Sequence, residues 1–214
     1  MSKLQITYIN LEHRVDRKSE FISQFNDISD QVHLNRFNAI NKSPGYLGCT
    51  LSHIECIKNA IENKLDYLIL CEDDFELTVS LSVFIDGIKS ALNYDWDTFV
   101  LTGFLRESSG NTENNMARVT NIQTATGYIV RSHYFKTLLD NFQDGYDNLV
   151  KYPHLYSTYA LDQYWKTLQK IDKWYVSSPL LGKQRVGYSD IELKNINYDN
   201  YYVNSEHNRK LVHK

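Results

Sequence analysis

The chain has 214 residues, 42% of them hydrophobic, and a formal net charge of -3 from 23 basic and 26 acidic residues. That content fills one sizeable core rather than two independent ones, so a single domain is expected. The scattered, slightly acidic charge excludes the basic field with which proteins bind nucleic acid.

The N-terminus, MSKLQITYINLEHRVDRK, has no apolar stretch behind a basic start, and no later segment approaches the roughly 20 apolar residues of a membrane span. A soluble, cytoplasmic protein is expected. Cys49, Cys56 and Cys71 are odd in number and lack C-x-x-C spacing, which predicts reduced, buried thiols rather than disulfides or a cysteine-rich zinc site.

In chain order, QITYINL is short, β-branched and aromatic, as a strand should be, and the polar EHRVDRK ends it. From about Lys18 to Ile28, Phe21, Ile22 and Phe25 recur at helical spacing, and VHLNRFNAI reads as a second strand followed by the loop NKSPGYLG. Leu51, Ile54, Ile57 and Ile61 share one face of a helix beginning near Thr50, which stops before LDYLILC, a continuous apolar strand of the kind buried on both sides. Leu81, Phe84, Ile85, Ile88 and Leu92 mark another helix, and DTFVLTG another strand.

Residues 105–121 have few apolar side chains and no period, which predicts a long exposed loop. TATGYIVRSHYFKTLLDNF then gives a short strand and an amphipathic helix, YALDQYWKTLQK a further helix, and DKWYVSSPLL a last strand before an irregular tail. Strands and helices alternate. That order predicts an α/β domain with a Rossmann-like, mainly parallel sheet and helices on both faces.

The chemistry concentrates in YLILCEDDFEL, where an apolar strand runs directly into Glu72, Asp73 and Asp74. Open α/β sheets bind ligands beyond the carboxyl ends of their strands. Three adjacent carboxylates there repel one another and need a compensating cation or donors. Carboxylate oxygens suit Mg²⁺ or Mn²⁺. A solvated loop, or acids complementing a helix dipole, would give the same pattern.

Five segments together resemble glycosyltransferase family 25, which includes bacterial lipooligosaccharide and collagen galactosyltransferases. They are YINLEHRVDRKSEF at 8–21, GYLGCTLSHIECIKNAI at 45–61, YLILCEDDFEL at 67–77, TGYIV at 126–130 and DQYW at 162–165, in the family's order. The resemblance implies an A-type glycosyltransferase fold with a nucleotide-sugar-binding half at about 1–103, an acceptor-binding half at about 104–190 and a tail at 191–214. It implies a UDP-galactose or UDP-glucose donor, Mn²⁺ or Mg²⁺, and inversion at the anomeric carbon.

EDD stands where that fold carries Asp-x-Asp, with Glu72 in place of the first aspartate. That departure leaves the ligand choice between Asp73 and Asp74 open; Asp74 is the first choice for metal ligation, Glu72 is either a second ligand or a support for the ribose, and Asp73 belongs to the same donor site. Asn10, Arg14 and Arg17 match the segment that lines the family's nucleotide pocket, where an arginine pairs with diphosphate or contacts a base plane. In GYLGCTLSH, Gly45 and Gly48 permit close backbone approach, Thr50 or Ser52 could cap the following helix, and His53 either contacts the donor or holds a neighbouring loop.

Asp162 matches an acidic position in the acceptor half and is the candidate base that takes the acceptor proton; a helix N-terminal acid is the competing reading. Tyr156, Tyr159, Tyr164 and Trp165 around it are ranked as packing before sugar binding. Gln184, Ser189 and Asp190 match the family's closing segment and are expected to cover the donor. Three rivals remain. A nucleotidyltransferase would want a glycine-rich phosphate loop that INLEHRVDR lacks, a silent glycan- or protein-binding domain would be free to lose the acids, and a calcium module lacks the spaced ligand loop.

Overall fold

The computed structural model describes residues 3–26, 30–108 and 114–203. The first half runs β1 (Leu4–Asn10), α1 (Val15–Ser23), β2 (Val32–Asn38), α2 (Gly45–Glu62), β3 (Tyr67–Glu72), β4 (Phe75–Leu77) and α3 (Leu81–Ala91). The second runs β5 (Thr98–Ser108), β6 (Met116–Arg131), α4 (Phe135–Lys151), three one-turn helices α5 (Tyr156–Tyr159), α6 (Leu161–Tyr164) and α7 (Lys166–Gln169), then β7 (Trp174–Ser177). A closing segment holds β8 (Gly182–Gln184), β9 (Gly187–Ser189), β10 (Lys194–Ile196) and α8 (Asp199–Val203).

Six strands form the central sheet in the order β2-β1-β3-β6-β5-β7. β1 pairs parallel with β2 and β3, β5 pairs parallel with β7, and β6 alone runs antiparallel to its neighbours. The mainly parallel α/β sheet is as expected. Period-two alternation sorts its side chains onto two covered faces. In β3, Leu68 and Leu70 join Ile54, Ile57 and Phe142 from α2 and α4, whereas Ile69 and Cys71 join Phe21, Phe84 and Ile88 from α1 and α3.

Three local expectations need correction. Residues 105–121 are not one long loop: β5 continues to Ser108 and β6 begins at Met116, so apart from the turn at Asn114 and Asn115, and 109–113, which lie outside the described residues, the stretch is two paired strands. β6 also reaches across to pair Met116–Arg118 with β7. Register shifts along β5 and β6 break the strict alternation that would have betrayed a strand in the sequence. YALDQYWKTLQK is not one helix, because Ala160 adopts an extended ψ of 145° between α5 and α6.

α2 begins at Gly45 rather than near Thr50, with Pro44 at its N-cap. Thr50 and Ser52 therefore do not cap it; they lie inside it, and their hydroxyls donate to the carbonyls of Tyr46 and Gly48, one turn back. α1 starts at Val15 and ends at Ser23, and of its expected extension residues 27 and 28 lie outside the described residues. Among the described residues no helix is long and apolar enough to cross a membrane.

Gly48 sets the distance between α2 and the preceding loop. A Cβ there would stand 2.3 Å from the Ile40 carbonyl oxygen and 3.0 Å from the Lys42 nitrogen, both backbone atoms. Gly48→Ala is expected to lower stability by about 1–3 kcal/mol, the usual cost of overpacking. Denaturant unfolding checks this, and an unchanged midpoint would contradict it.

Candidate active site

The carboxyl ends of β1 and β3 lie side by side; Glu72 is the last residue of β3, and the turn after it carries Asp73 and Asp74. The strand ends at Glu72 and the chain turns, so the acids diverge: Glu72 toward α2, and Asp73 and Asp74 together toward Arg17. Asp73 faces α1: its Oδ1 accepts from Arg17 Nη1 at 2.8 Å and its Oδ2 from Asn10 Nδ2 at 2.7 Å. Asn10 is in turn held by Arg36, whose Nε donates to Asn10 Oδ1 at 2.9 Å. Burial pushes the Asp73 carboxyl up, with Arg17 pulling the other way.

Asp74 is 6% exposed. Its Oδ2 accepts from Gln184 Nε2 at 3.1 Å and from Arg17 Nη2 at 3.3 Å, but Oδ1 is buried without a hydrogen-bond partner among the described residues. Burial and the neighbouring Glu72 charge push its pKa up to about 7. A buried carboxylate oxygen with no donor, in a cluster short of positive charge, fits a divalent cation.

Glu72 faces the opposite way, toward α2. Its Oε1 meets His53 Nε2 at 3.2 Å and Cys49 Sγ at 3.4 Å. Burial alone would raise it, yet the contacts with His53, Cys49 and Arg17 carry its pKa below the ordinary value. His53 itself has no exposed surface, and its Nδ1 lies 3.0 Å from Tyr128 Oη.

Two cavities open here. The smaller, about 140 Å³, is walled by Arg17, Gly48, Ser52, the three acids and Gln184, Ser189 and Asp190, with Ile9, Leu11, Ala39 and Ile40 as its apolar side. The larger, about 280 Å³, holds Asp162 together with Tyr156, Arg106, Gln123 and Tyr198. They share Cys49, Glu72, Gln184, Ser189 and Ile191.

Asp162 lies at the start of α6, and its Oδ2 accepts the Thr124 N–H at 3.0 Å while Oδ1 accepts from Gln163 Nε2 at 3.2 Å. Burial raises its pKa. Thr124 takes a φ of 84°, a costly conformation for a β-branched residue, so the amide aimed at Asp162 is held there by the surrounding sheet.

A family model described as glycosyltransferase family 25 (LPS biosynthesis protein) matches residues 43–163, from the start of α2 through Asp162. The chain belongs to glycosyltransferase family 25. It is a glycosyltransferase. A glycosyltransferase involved in the glycosylation of the major capsid of PBCV-1 superposes with a TM-score of 0.51 at 9% identity, over 96% of this chain and 100% of that one. A197 from STIV superposes with a TM-score of 0.50 at 12% identity, over 90% of this chain and 93% of that one. At such identities the likeness is one of fold. No curated protein matches.

Within this glycosyltransferase the structure gathers Arg17, Gly48, Ser52, Glu72, Asp73, Asp74, Gln184, Ser189 and Asp190 around the smaller cavity and Asp162 in the larger. Asn10, Arg14 and His53 line neither. Arg14 closes on Asp16 and Asp190, joining α1 to the closing segment, and Asn10 and His53 orient Asp73 and Glu72. Ser52 is fully buried and accepts the Ile40 N–H at 2.9 Å. Residues the sequence did not single out are Cys49, Lys42, Arg106 and Gln123. Arg106 and Gln123 fall on the paired strands misread as a loop or cut short. Cys49 carried a signal, since it stands one helical turn before His53.

Asp74 binds its proton more tightly folded than unfolded between the unfolded pKa of 3.8 and the folded value of about 7. The stability of the metal-free protein therefore falls as pH rises through that window. Asp74→Asn, fixed in the neutral form, is expected to flatten the slope and raise Tm at alkaline pH. Melting both proteins in chelator across about pH 4 to 8 tests this; parallel Tm curves would sink it.

Proposed function

We propose that this glycosyltransferase moves a hexose, galactose or glucose, from a UDP-sugar to a glycan hydroxyl with inversion, assisted by Mn²⁺ or Mg²⁺. One observation carries the reading: two cavities meet at Glu72, with the unpartnered Asp74 Oδ1 at the smaller and the Asp162 carboxylate in the larger. The smaller takes the nucleotide, with Leu11, Ala39 and Ile40 against the base and Arg17 and Lys42 supplying positive charge near the diphosphate. The larger takes the acceptor, beside Tyr156 and Tyr198.

The donor half is then about 1–103 and the acceptor half about 104–190, with Gln184, Ser189 and Asp190 reaching back over the donor. Asp74 and Glu72 would hold the cation, and a cation bound there supplies Lewis-acid stabilisation of the departing diphosphate. The acceptor oxygen attacks the anomeric carbon, the bond from that carbon to the phosphate oxygen breaks, and the acceptor proton passes to Asp162. Burial suits Asp162 to this work because it raises the basicity of the carboxylate. The unpaired thiols of Cys49, Cys56 and Cys71 fit a reducing, cytoplasmic setting.

UDP release from a panel of UDP-sugars, with and without Mn²⁺, tests the reading. Release is expected to require metal, to be lost in Asp74→Ala, and to fall by about 10²–10⁴-fold in kcat for Asp162→Asn with KM little changed. Metal-independent release, or an Asp162→Asn enzyme of normal kcat, would overturn the assigned roles. Release from no UDP-sugar, together with no calorimetric binding of UDP, would overturn the donor class.

A further inference from the structure

Glu72 is gripped by two residues that the transfer reaction leaves unused. Cys49 and His53 stand at i and i+4 on α2, so their side chains leave the same face of the helix. Cys49 Sγ lies 3.4 Å and His53 Nε2 3.2 Å from the same Glu72 oxygen, and the three atoms all fall within 4.8 Å of one another. Tetrahedral zinc, with bonds of roughly 2.0–2.3 Å to sulfur, nitrogen and oxygen, places neighbouring ligand atoms about 3.3–3.6 Å apart. The two spacings to the Glu72 oxygen match those of such a centre, and the group as a whole is compact enough to close on one ion.

Two further features point the same way. The second ring nitrogen of His53 lies 3.0 Å from Tyr128 Oη, in a wholly buried position. This is the outer contact that fixes the orientation of a metal-bound imidazole. Cys49 and Glu72 also line both cavities, so a fourth coordination position opens onto the space between them.

We propose that Cys49, His53 and Glu72 form a zinc site, sharing only Glu72 with the oxygen-rich position at Asp74. Thiolate and imidazole select Zn²⁺ over Mg²⁺ and Mn²⁺, which favour oxygen donors. On binding, the Cys49 thiol loses its proton to solvent, and His53 keeps its one ring proton on Nδ1, directed at Tyr128 Oη, leaving Nε2 free to ligate. Thiolate and carboxylate then cancel the two charges of the ion, so the partly buried centre is neutral. Zinc bound here draws Glu72 away from the diphosphate cation and inhibits transfer; chelation restores it.

Cobalt(II) titration of the purified, metal-free protein tests the site without reference to activity. One equivalent of Co²⁺ is expected to give a thiolate-to-cobalt charge-transfer band and the visible bands of tetrahedral cobalt, displaced by Zn²⁺ but not by excess Mg²⁺. The charge-transfer band is absent in Cys49→Ser, retained in Asp74→Asn, and formed with roughly tenfold weaker affinity in Tyr128→Phe. Circular dichroism establishes that each variant folds, and Cys49→Ser, the smallest change, carries the test if His53→Gln does not fold. No charge-transfer band in the unmodified protein, or an equal band in Cys49→Ser, overturns the proposal. Failure of the UDP-sugar assay leaves these spectra untouched, so the two readings fail separately.

Discussion

The site depends on one guanidinium. Arg17, in the first turns of α1, spans Asp73 at 2.8 Å and Asp74 at 3.3 Å and donates to the Tyr188 carbonyl at 3.1 Å. It thereby ties the segment after β1, the acidic turn after β3 and the closing strands into one body. All three side chains are at most 15% exposed. Removing one partner of a buried ion pair typically costs about 3–5 kcal/mol, because the other charge is stranded. Two carboxylates would be stranded here.

One cation cannot neutralise three carboxylates, and the shortfall is distributed by geometry. Asp73 takes the nearest guanidinium nitrogen and the Asn10 amide, so both its oxygens are occupied and it serves the scaffold. Glu72, turned to the other face, is fixed by α2. Asp74 receives the longer contact and keeps Oδ1 unpaired. The end of β3 and the turn after it thus give three adjacent acids three different surroundings: Asp73 a strut to α1, Glu72 a wall of both cavities, and Asp74 an unpaired oxygen at the proposed cation position.

Much of this was legible in the residues, and what was not has identifiable causes. The continuous apolar run of LDYLILC located β3 because both its faces are covered. The helical pattern around Ile54 and Ile57 located α2, although Gly45, Pro44 and an early start defeated the reading of its boundary. The place of the acids at a strand end, beside a cavity, was plain from the sequence. Their division of labour was not, since it depends on Arg17 and Asn10 from a segment more than 50 residues away. β6 escaped notice over its first part because Arg118, Thr120 and Asn121 interrupt its apolar residues and register shifts spoil the period.

That misread strand connects the two halves of the site. β6 lies between β3 and β5 and runs against both, so Tyr128 reaches His53 of α2 while Gln123 and Thr124 wall the larger cavity. The Thr124 conformation costs on the order of 1–3 kcal/mol, and the Asp162 carboxylate accepts the amide that this conformation presents. Asp162 is therefore both the proposed base and a support for the backbone beside it. Alanine at 162 would remove both functions at once. Asparagine keeps an oxygen for the Thr124 N–H while losing the basic carboxylate, and only that exchange separates proton transfer from the geometry that holds it.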